Sequence, residues 1–125
     1  MPTDDRCVLV VDDDDDIRES LSMILDAEGF RPATASDGGE ALAWLRAHAP
    51  PCAILLDLMM PGMSGQEFRA RQLDDPSLAR IPTVIVSAGD NVSRVAADIG
   101  ADAYLRKPLD VDRLLAVLRA RCGAR

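Results

Sequence analysis

The strongest constraint on the fold is an alternation of short apolar runs with longer segments in which apolar residues recur at helical spacing. Continuous apolar runs predict strands that are buried on both faces, and strands alternating with helices predict a parallel sheet covered on both sides. We therefore expect a single-domain α/β fold of the doubly wound (βα)5 type. The predicted strands are Cys7–Val11, Arg31–Ala35, Cys52–Leu56, Thr83–Val86 and Ala103–Leu105.

The predicted helices have recognisable start signals. The apolar stripe over Ile17–Leu25 follows a run of acids, and Asp14–Asp16 are interpreted as a helix start because acidic side chains suit the dipole there. Asp37–Glu40 and Ser64–Glu67 each have the pattern of a capping box. Further helices are expected over residues 92–99 and 111–122.

Length and charge limit the classes of function that the chain could have. A chain of 125 residues is the size of one domain, and 21 acidic against 14 basic residues give a net charge of −7. This balance argues against a nucleic-acid or anionic-membrane binder, which would be basic. No leader or membrane-spanning run is recognised, so we expect a cytoplasmic protein.

Three cysteines, Cys7, Cys52 and Cys122, are odd in number and widely spaced. A disulfide scaffold or a zinc site would need more cysteine or histidine. The spacing predicts that all three are reduced and structural, because a thiol in an apolar run acts as a small hydrophobe.

Polar residues stand just after four of the predicted strands. Asp12 and Asp13 follow the first, Asp57 the third, Ser87 the fourth and Lys107 the fifth. Carboxyl ends of parallel strands meet at one edge of a sheet, so these side chains are expected to converge. Three ionised carboxylates within ~5 Å would repel one another by a few kcal/mol per pair, which raised pKa values or a cation would relieve. An all-oxygen cluster suits Mg²⁺.

These residues carry a family resemblance. Val10–Asp13, Leu55–Gly65, Val86–Ala88 and Tyr104–Pro108 resemble the motifs of the response regulator receiver domain of two-component signalling. The resemblance extends over essentially the whole chain, with each motif in order at a strand end. It implies one CheY-like receiver domain over residues 1–125, with a flavodoxin-like, five-stranded parallel sheet in the order 2-1-3-4-5.

The resemblance also implies roles at the site. Asp57 resembles the phosphoacceptor, which takes a phosphoryl group from a phosphohistidine. Asp12 and Asp13 resemble the acidic pair that holds Mg²⁺ together with Asp57 and the backbone carbonyl of Met59. Lys107 resembles the cation that pairs with Asp57 and then with the phosphoryl group, and its bond to the following proline is expected to be cis.

Two further residues resemble a switch. Ser87 is similar to the hydroxyl that moves to the phosphoryl oxygen, and Tyr104 to the aromatic residue that then turns inward. The change is expected to alter the surface of the fourth helix, fifth strand and fifth helix. Met59 and Gly89 occupy the positions at which the family tunes dephosphorylation, and neither offers a side chain that could orient water.

The resemblance implies a signalling domain rather than an enzyme, although it would assist its own phosphorylation and dephosphorylation. Expected partners are a sensor histidine kinase or a histidine phosphotransfer protein, and a downstream protein or a fused output domain. No direct contact with nucleic acid or membrane is expected, and the domain would be a monomer or a phosphorylation-dependent dimer.

Two alternatives stay open. A receiver-like domain could signal without phosphorylation. An Asp-dependent phosphatase of the haloacid dehalogenase type also uses an Asp after its first strand, and Asp12–Asp14 superficially fits its D-x-D start. That class has a longer chain and a hydroxyl residue soon after the motif, where this chain has Asp16 and Ile17.

Overall fold

Five strands and five helices alternate along residues 4–123, the part of the chain that this computed structural model describes. The strands are β1 (Asp4–Val11), β2 (Arg31–Ala35), β3 (Pro51–Leu56), β4 (Thr83–Ser87) and β5 (Ala103–Arg106). The helices are α1 (Asp15–Ala27), α2 (Gly38–Ala47), α3 (Gly65–Asp74), α4 (Val92–Asp98) and α5 (Val111–Cys122). Every predicted element is present, and β1 begins three residues before the apolar run that predicted it.

The strands form one parallel sheet in the order β2-β1-β3-β4-β5. This order confirms the doubly wound, flavodoxin-like (βα)5 fold. The chain moves outward from β1 to β2 and then returns past β1 to β3, so the loops after β1 and β3 leave the sheet in different directions. Ligand sites of such sheets form in the crevice between these two loops.

The core has one apolar cluster on each face of the sheet. Successive residues of β1 alternate between them: Val8 and Val10 pack with α1 and α5, whereas Leu9 and Val11 pack with α2, α3 and α4. All residues of β3 and β4 are buried, as their uninterrupted apolar runs predicted. Within residues 4–123, no helix combines the length and the apolar character needed to cross a membrane.

Three helices begin directly after the capping residues that the sequence predicted. Asp14 accepts hydrogen bonds from the backbone N–H groups of Asp16 and Ile17. Asp37 accepts from Glu40 N at 2.8 Å, and Ser64 Oγ accepts from Glu67 N at 3.1 Å. The acids after β1 are therefore divided: Asp14 caps α1, while the two before it remain available at the sheet edge.

The prediction of three reduced cysteines is wrong for one pair. Cys52 and Cys122 form a disulfide, with their Cα atoms 5.2 Å apart. Cys52 lies near the start of β3 and Cys122 ends α5, and the sheet order brings these two elements together although 70 residues separate them in sequence. Cys7 is buried in β1, as predicted.

Candidate functional site at the carboxyl edge of the sheet

The sheet brings the predicted site residues together at its carboxyl edge. The backbone N–H of Asp57 donates to Val11 O at 2.9 Å, and that of Lys107 donates to Ser87 O at 3.0 Å. These bonds continue the strand pairing by one residue beyond the regular sheet, so the backbone itself fixes where the polar side chains begin. Asp12, Asp57 and Ser87 are buried there. Burial is exceptional for charged groups such as the two carboxylates, and buried polar groups require hydrogen-bonding or ionic partners.

Asp57 has a partner for each carboxylate oxygen. Its Oδ1 accepts hydrogen bonds from Ser87 Oγ at 3.1 Å and from Met59 N at 3.2 Å, and its Oδ2 lies 3.5 Å from Lys107 Nζ. Burial is the largest influence and raises the pKa of Asp57; the nearby charge of Asp12 also raises it, while the Met59 N–H, Lys107 and Ser87 oppose the rise. The raised pKa shows that the ionised carboxylate is incompletely compensated.

Lys107 joins two of the acids. Its Nζ donates to Asp12 Oδ2 at 2.9 Å and forms the longer ion pair with Asp57. Burial works to lower the pKa of Lys107, but the hydrogen bond to Asp12 and the charges of both carboxylates outweigh it and the pKa is raised. Lys107 is therefore charged at neutral pH, and its peptide bond to Pro108 is cis, as expected.

Three carboxylates form a cluster that could hold a metal ion. Asp12, Asp13 and Asp57 each offer one oxygen, and these oxygens lie within 4.8 Å of one another. Asp12 and Asp57 are buried, whereas Asp13 is exposed, so the cluster is open to solvent on one side. An all-oxygen donor set with room for water fits Mg²⁺, which takes few protein ligands. The Met59 carbonyl as a further ligand stays a prediction.

Tyr104 lies away from the buried acids, at the surface of β5. It stands opposite Ile85 of β4 in the sheet register and is 36% exposed. An inward turn would therefore require the Tyr104 ring to move away from the protein surface. The switch role of Tyr104 remains a prediction.

Arg18 belongs to the site but was not singled out from the sequence. Its Nη1 donates to the backbone carbonyl of Asp12 at 2.6 Å, and its guanidinium also pairs with Asp15. Arg18 thus fixes the loop that presents Asp12 and Asp13. A cation one turn into a helix that starts with a run of acids was the available signal.

Gly65 permits a close approach between α3 and the backbone beside the site. A Cβ at this position would lie 2.6 Å from Asp57 O and 2.7 Å from the Leu58 Cα. No side chain fits between these backbone atoms, so the first turn of α3 can pack directly on the residue that carries the buried carboxylate.

We expect Gly65→Ala to lower the free energy of unfolding by about 1–3 kcal/mol, because the added methyl group must displace backbone. Gly39→Ala is the matched control: its Cβ would meet only Asp37 Oδ1, at an ordinary 3.4 Å. Urea unfolding of both variants measures the difference. Equal stability of the two variants would contradict the close approach.

Asp57→Asn is expected to stabilise the metal-free protein at neutral pH. A folded-state pKa above the usual value of 3.8 means that ionised Asp57 destabilises the fold above that folded-state pKa. The penalty disappears as the pH falls toward 3.8. We expect a Tm gain of roughly 3–6 °C, corresponding to about 1 kcal/mol, that declines toward pH ~4.

Thermal denaturation in EDTA between about pH 4 and pH 8 measures this gain. Asp98→Asn, which removes one carboxylate at an exposed position of α4, is the control for the loss of a charge alone. A loss of stability in Asp57→Asn at neutral pH would show that the ion pair with Lys107 outweighs the burial of the charge.

Comparisons with known proteins agree with this fold. A family model described as the response regulator receiver domain matches residues 8–119. The chain therefore belongs to the response regulator receiver domain family. Among curated relatives, response regulator MprA of Mycobacterium sp. (strain KMS) is 46% identical in an alignment of length 119 that covers 90% of this chain and 49% of that protein. The chain thus spans about half the length of the curated relatives it matches.

Solved structures show the same architecture. The chemotaxis protein CheY4 of Vibrio cholerae superposes with a TM-score of 0.82 at 30% identity, covering 92% of this chain and 97% of that one. A putative response regulator from Chloroflexus aurantiacus gives a TM-score of 0.87 at 29% identity, covering 95% and 98% of the two chains. The recognition of a CheY-like receiver domain from the sequence motifs is confirmed.

Proposed function

We propose that this receiver domain accepts a phosphoryl group on Asp57 and thereby switches its α4-β5-α5 surface. The observation that carries the proposal is the convergence of a buried carboxylate, a hydroxyl and an ammonium, Asp57, Ser87 and Lys107, beside two further acids. This set contains a nucleophile, two groups that could contact phosphoryl oxygens, and a site for a cation.

The transfer is a displacement at phosphorus. A carboxylate oxygen of Asp57 forms the new O–P bond, and the P–N bond of a phosphohistidine breaks, with the imidazole nitrogen retaining the electron pair. Catalysis of such a step consists mainly of positioning the reactants and of neutralising charge on the equatorial oxygens. Lys107 Nζ and Ser87 Oγ lie against the two oxygens of Asp57, so they are placed to do this.

Asp12, Asp13 and Asp57 would hold Mg²⁺, with the Met59 carbonyl as a predicted further ligand. When bound, the ion supplies positive charge that offsets the carboxylates and the incoming phosphoryl group. Lys107 supplies a further positive charge beside Asp12 and Asp57. Its ammonium is a compact point charge, whereas the planar fork of arginine is wider and favours bidentate contacts.

The switch begins at Ser87. Its hydroxyl donates to Asp57 in the resting protein, and a phosphoryl group would draw it further, together with the loop over residues 88–91. The space that this loop leaves would let Tyr104 turn inward from the surface. Addition of beryllofluoride should therefore change the NMR environment of Tyr104; an unchanged Tyr104 signal would contradict the coupling.

The partners follow from this chemistry. We propose a sensor histidine kinase or a histidine phosphotransfer protein as the donor, and a downstream protein or a fused output domain as the receiver of the signal. The domain, residues 1–125, would act in the cytoplasm as a signalling module rather than as an enzyme with turnover, and as a monomer or a phosphorylation-dependent dimer. Its charge of −7 supports the absence of direct nucleic-acid or membrane binding.

The phosphoryl group is expected to be long-lived. Met59 is 73% exposed and Gly89 has no side chain, so neither position presents a group that would orient an attacking water. We expect Met59→Asn to accelerate dephosphorylation by about tenfold or more, since a positioned polar group assists proton and water placement. Loss of label after removal of the donor measures the rate. A wild-type half-life of seconds that Met59→Asn leaves unchanged would contradict this.

Acetyl phosphate tests the proposed function without a cognate kinase. Intact-protein mass spectrometry should show one added phosphoryl group on the wild type in Mg²⁺ and none on Asp57→Ala. Label on both proteins would place the acceptor elsewhere. Label on neither would favour a receiver that signals without phosphorylation, and continuous turnover of phosphate esters by Asp57→Ala would favour the phosphatase alternative.

A further inference from the structure

A buried arginine connects α3 to the end of α4. Arg69 is only 5% exposed, and its guanidinium reaches two backbone carbonyls just past the last residue of α4. Nε donates to Ile99 O at 3.0 Å and Nη2 donates to Gly100 O at 2.6 Å. The last carbonyls of a helix lack partners within it, and a cation is favourable there. Arg69 therefore caps α4 from a neighbouring helix.

The capping arginine is itself held on its other side. Its Nη1 donates to Gln72 Oε1 at 2.9 Å and to Thr83 Oγ1 at 3.2 Å. Gln72 Nε2 in turn donates to Leu78 O and Ile81 O, each at 3.1 Å. Among residues 4–123, no buried side-chain nitrogen or oxygen lacks a hydrogen-bond partner. A network satisfied in this way keeps the guanidinium in one place.

The segment that leads into the opposite end of α4 is exposed and held by weaker hydrogen bonds, although Val92, the first residue of the helix, is buried. Asn91, at the N-cap position, makes no capping hydrogen bond through its side chain, and residues 88–91 are exposed. An exposed bond from Arg106 Nη2 to Asp90 O, at 3.2 Å, crosses this segment. This weakly held segment, residues 88–91, directly follows Ser87, where the proposed switch begins.

We propose that Arg69 is a positioning residue that makes the C-terminal end of α4 a fixed pivot. A pull on the loop after Ser87 then tilts the helix about residues 99–100 instead of displacing it as a whole. The output change is concentrated in the first turn of α4 and around Tyr104. The trigger rests on the proposed function, whereas the anchoring by Arg69 is a property of the resting protein and is tested separately.

Amide hydrogen exchange in the resting protein tests the anchor. The amides of Ile99, Gly100 and Ala101 close the last turn of α4 on carbonyls of the same helix. In Arg69→Met their exchange should accelerate about tenfold or more, because the carbonyls at this end lose a charged donor. Arg69→Lys, which keeps the charge, should give a smaller increase at the same amides. Arg71→Met, at an exposed position of the same helix, should change none of them.

A merely structural role would give a different pattern. Loss of general stability would accelerate exchange equally in the central strands, for example at Leu9 and Val10. Uniform acceleration, or none at residues 99–101, overturns the anchor. If Arg69→Met does not fold, two milder variants test the anchor instead: Arg69→Lys, and Thr83→Val, which removes one partner of the guanidinium. In each, faster amide exchange confined to residues 99–101 supports the anchor, and uniform or unchanged exchange overturns it.

Beryllofluoride tests the pivot in the wild type. Amide shift changes should be several times larger over residues 92–95 than over residues 99–101, and Arg69→Lys should spread them to the C-terminal end. Equal changes at both ends of wild-type α4 overturn the pivot. No response to beryllofluoride anywhere in the protein contradicts the proposed function instead, and the exchange experiment still decides the anchor.

Discussion

Lys107→Met is expected to lower the rate of Asp57 phosphorylation by acetyl phosphate by about 10²–10³-fold, the usual effect of losing one charge-stabilising donor at a reacting centre. Lys107 Nζ lies 2.9 Å from Asp12 Oδ2 and 3.5 Å from Asp57 Oδ2, so its positive charge lies beside the carboxylate at which the reaction is proposed to occur. Lys107→Arg should recover little of the rate, because a wider planar guanidinium is a poor replacement for the compact ammonium that donates to Asp12 and forms an ion pair with Asp57.

Pre-steady-state labelling at saturating Mg²⁺ measures both variants. Arg71→Lys, an exchange of one cation for another at an exposed position of α3, is the control and should behave as the wild type. If Lys107→Met is phosphorylated at the wild-type rate, Lys107 takes no part in the chemistry. Wild-type rates in Lys107→Arg alone would show that charge matters there and compactness does not.

Asp13→Asn is expected to weaken Mg²⁺ binding by at least about 10- to 100-fold, since even groups that only support metal ligands have effects of that size. Asp13 is the exposed member of the acidic cluster, and no hydrogen bond to Lys107 involves it. Its replacement therefore removes a proposed ligand without removing either partner of the Lys107–Asp12 pair. Phosphorylation should require correspondingly more Mg²⁺ and recover at saturation.

Calorimetric titration of Mg²⁺ measures the affinity. Asp16→Asn is the matched control, because Asp16 belongs to the same acidic run but lies in the first turn of α1. Equal weakening in both variants would mean that general negative charge, and not coordination, attracts the ion. An unchanged affinity in Asp13→Asn would exclude Asp13 as a ligand.

The fold and the convergence of the site could be predicted because they depend on local patterns. An uninterrupted apolar run such as Cys52–Leu56 can only be a buried strand in this context, and the charge that follows it must lie where the sheet ends. Capping residues such as Asp37 and Ser64 act on backbone N–H groups three residues away, so their effect is also visible in sequence. The order of the strands came from the family resemblance.

Contacts between elements could not be predicted in the same way. The Cys52–Cys122 disulfide and the reach of Arg69 to Gly100 depend on which elements become neighbours in space. Gly65 reads in sequence as the second residue of a capping box, and only the packing of α3 on Asp57 O shows why it has no side chain. Arg69 reads as an ordinary surface residue of a helix, although it is buried.

The most direct test of the central claim is to trap and locate the acyl phosphate. After phosphorylation by acetyl phosphate in Mg²⁺, borohydride reduces an aspartyl phosphate to an alcohol, and peptide mass spectrometry identifies the reduced residue. We expect the reduced residue to be Asp57, with no reduction in EDTA or in Asp57→Asn. Reduction at another aspartate, or none in a wild type that carries the phosphoryl mass, would contradict the assignment of Asp57 as the phosphoacceptor.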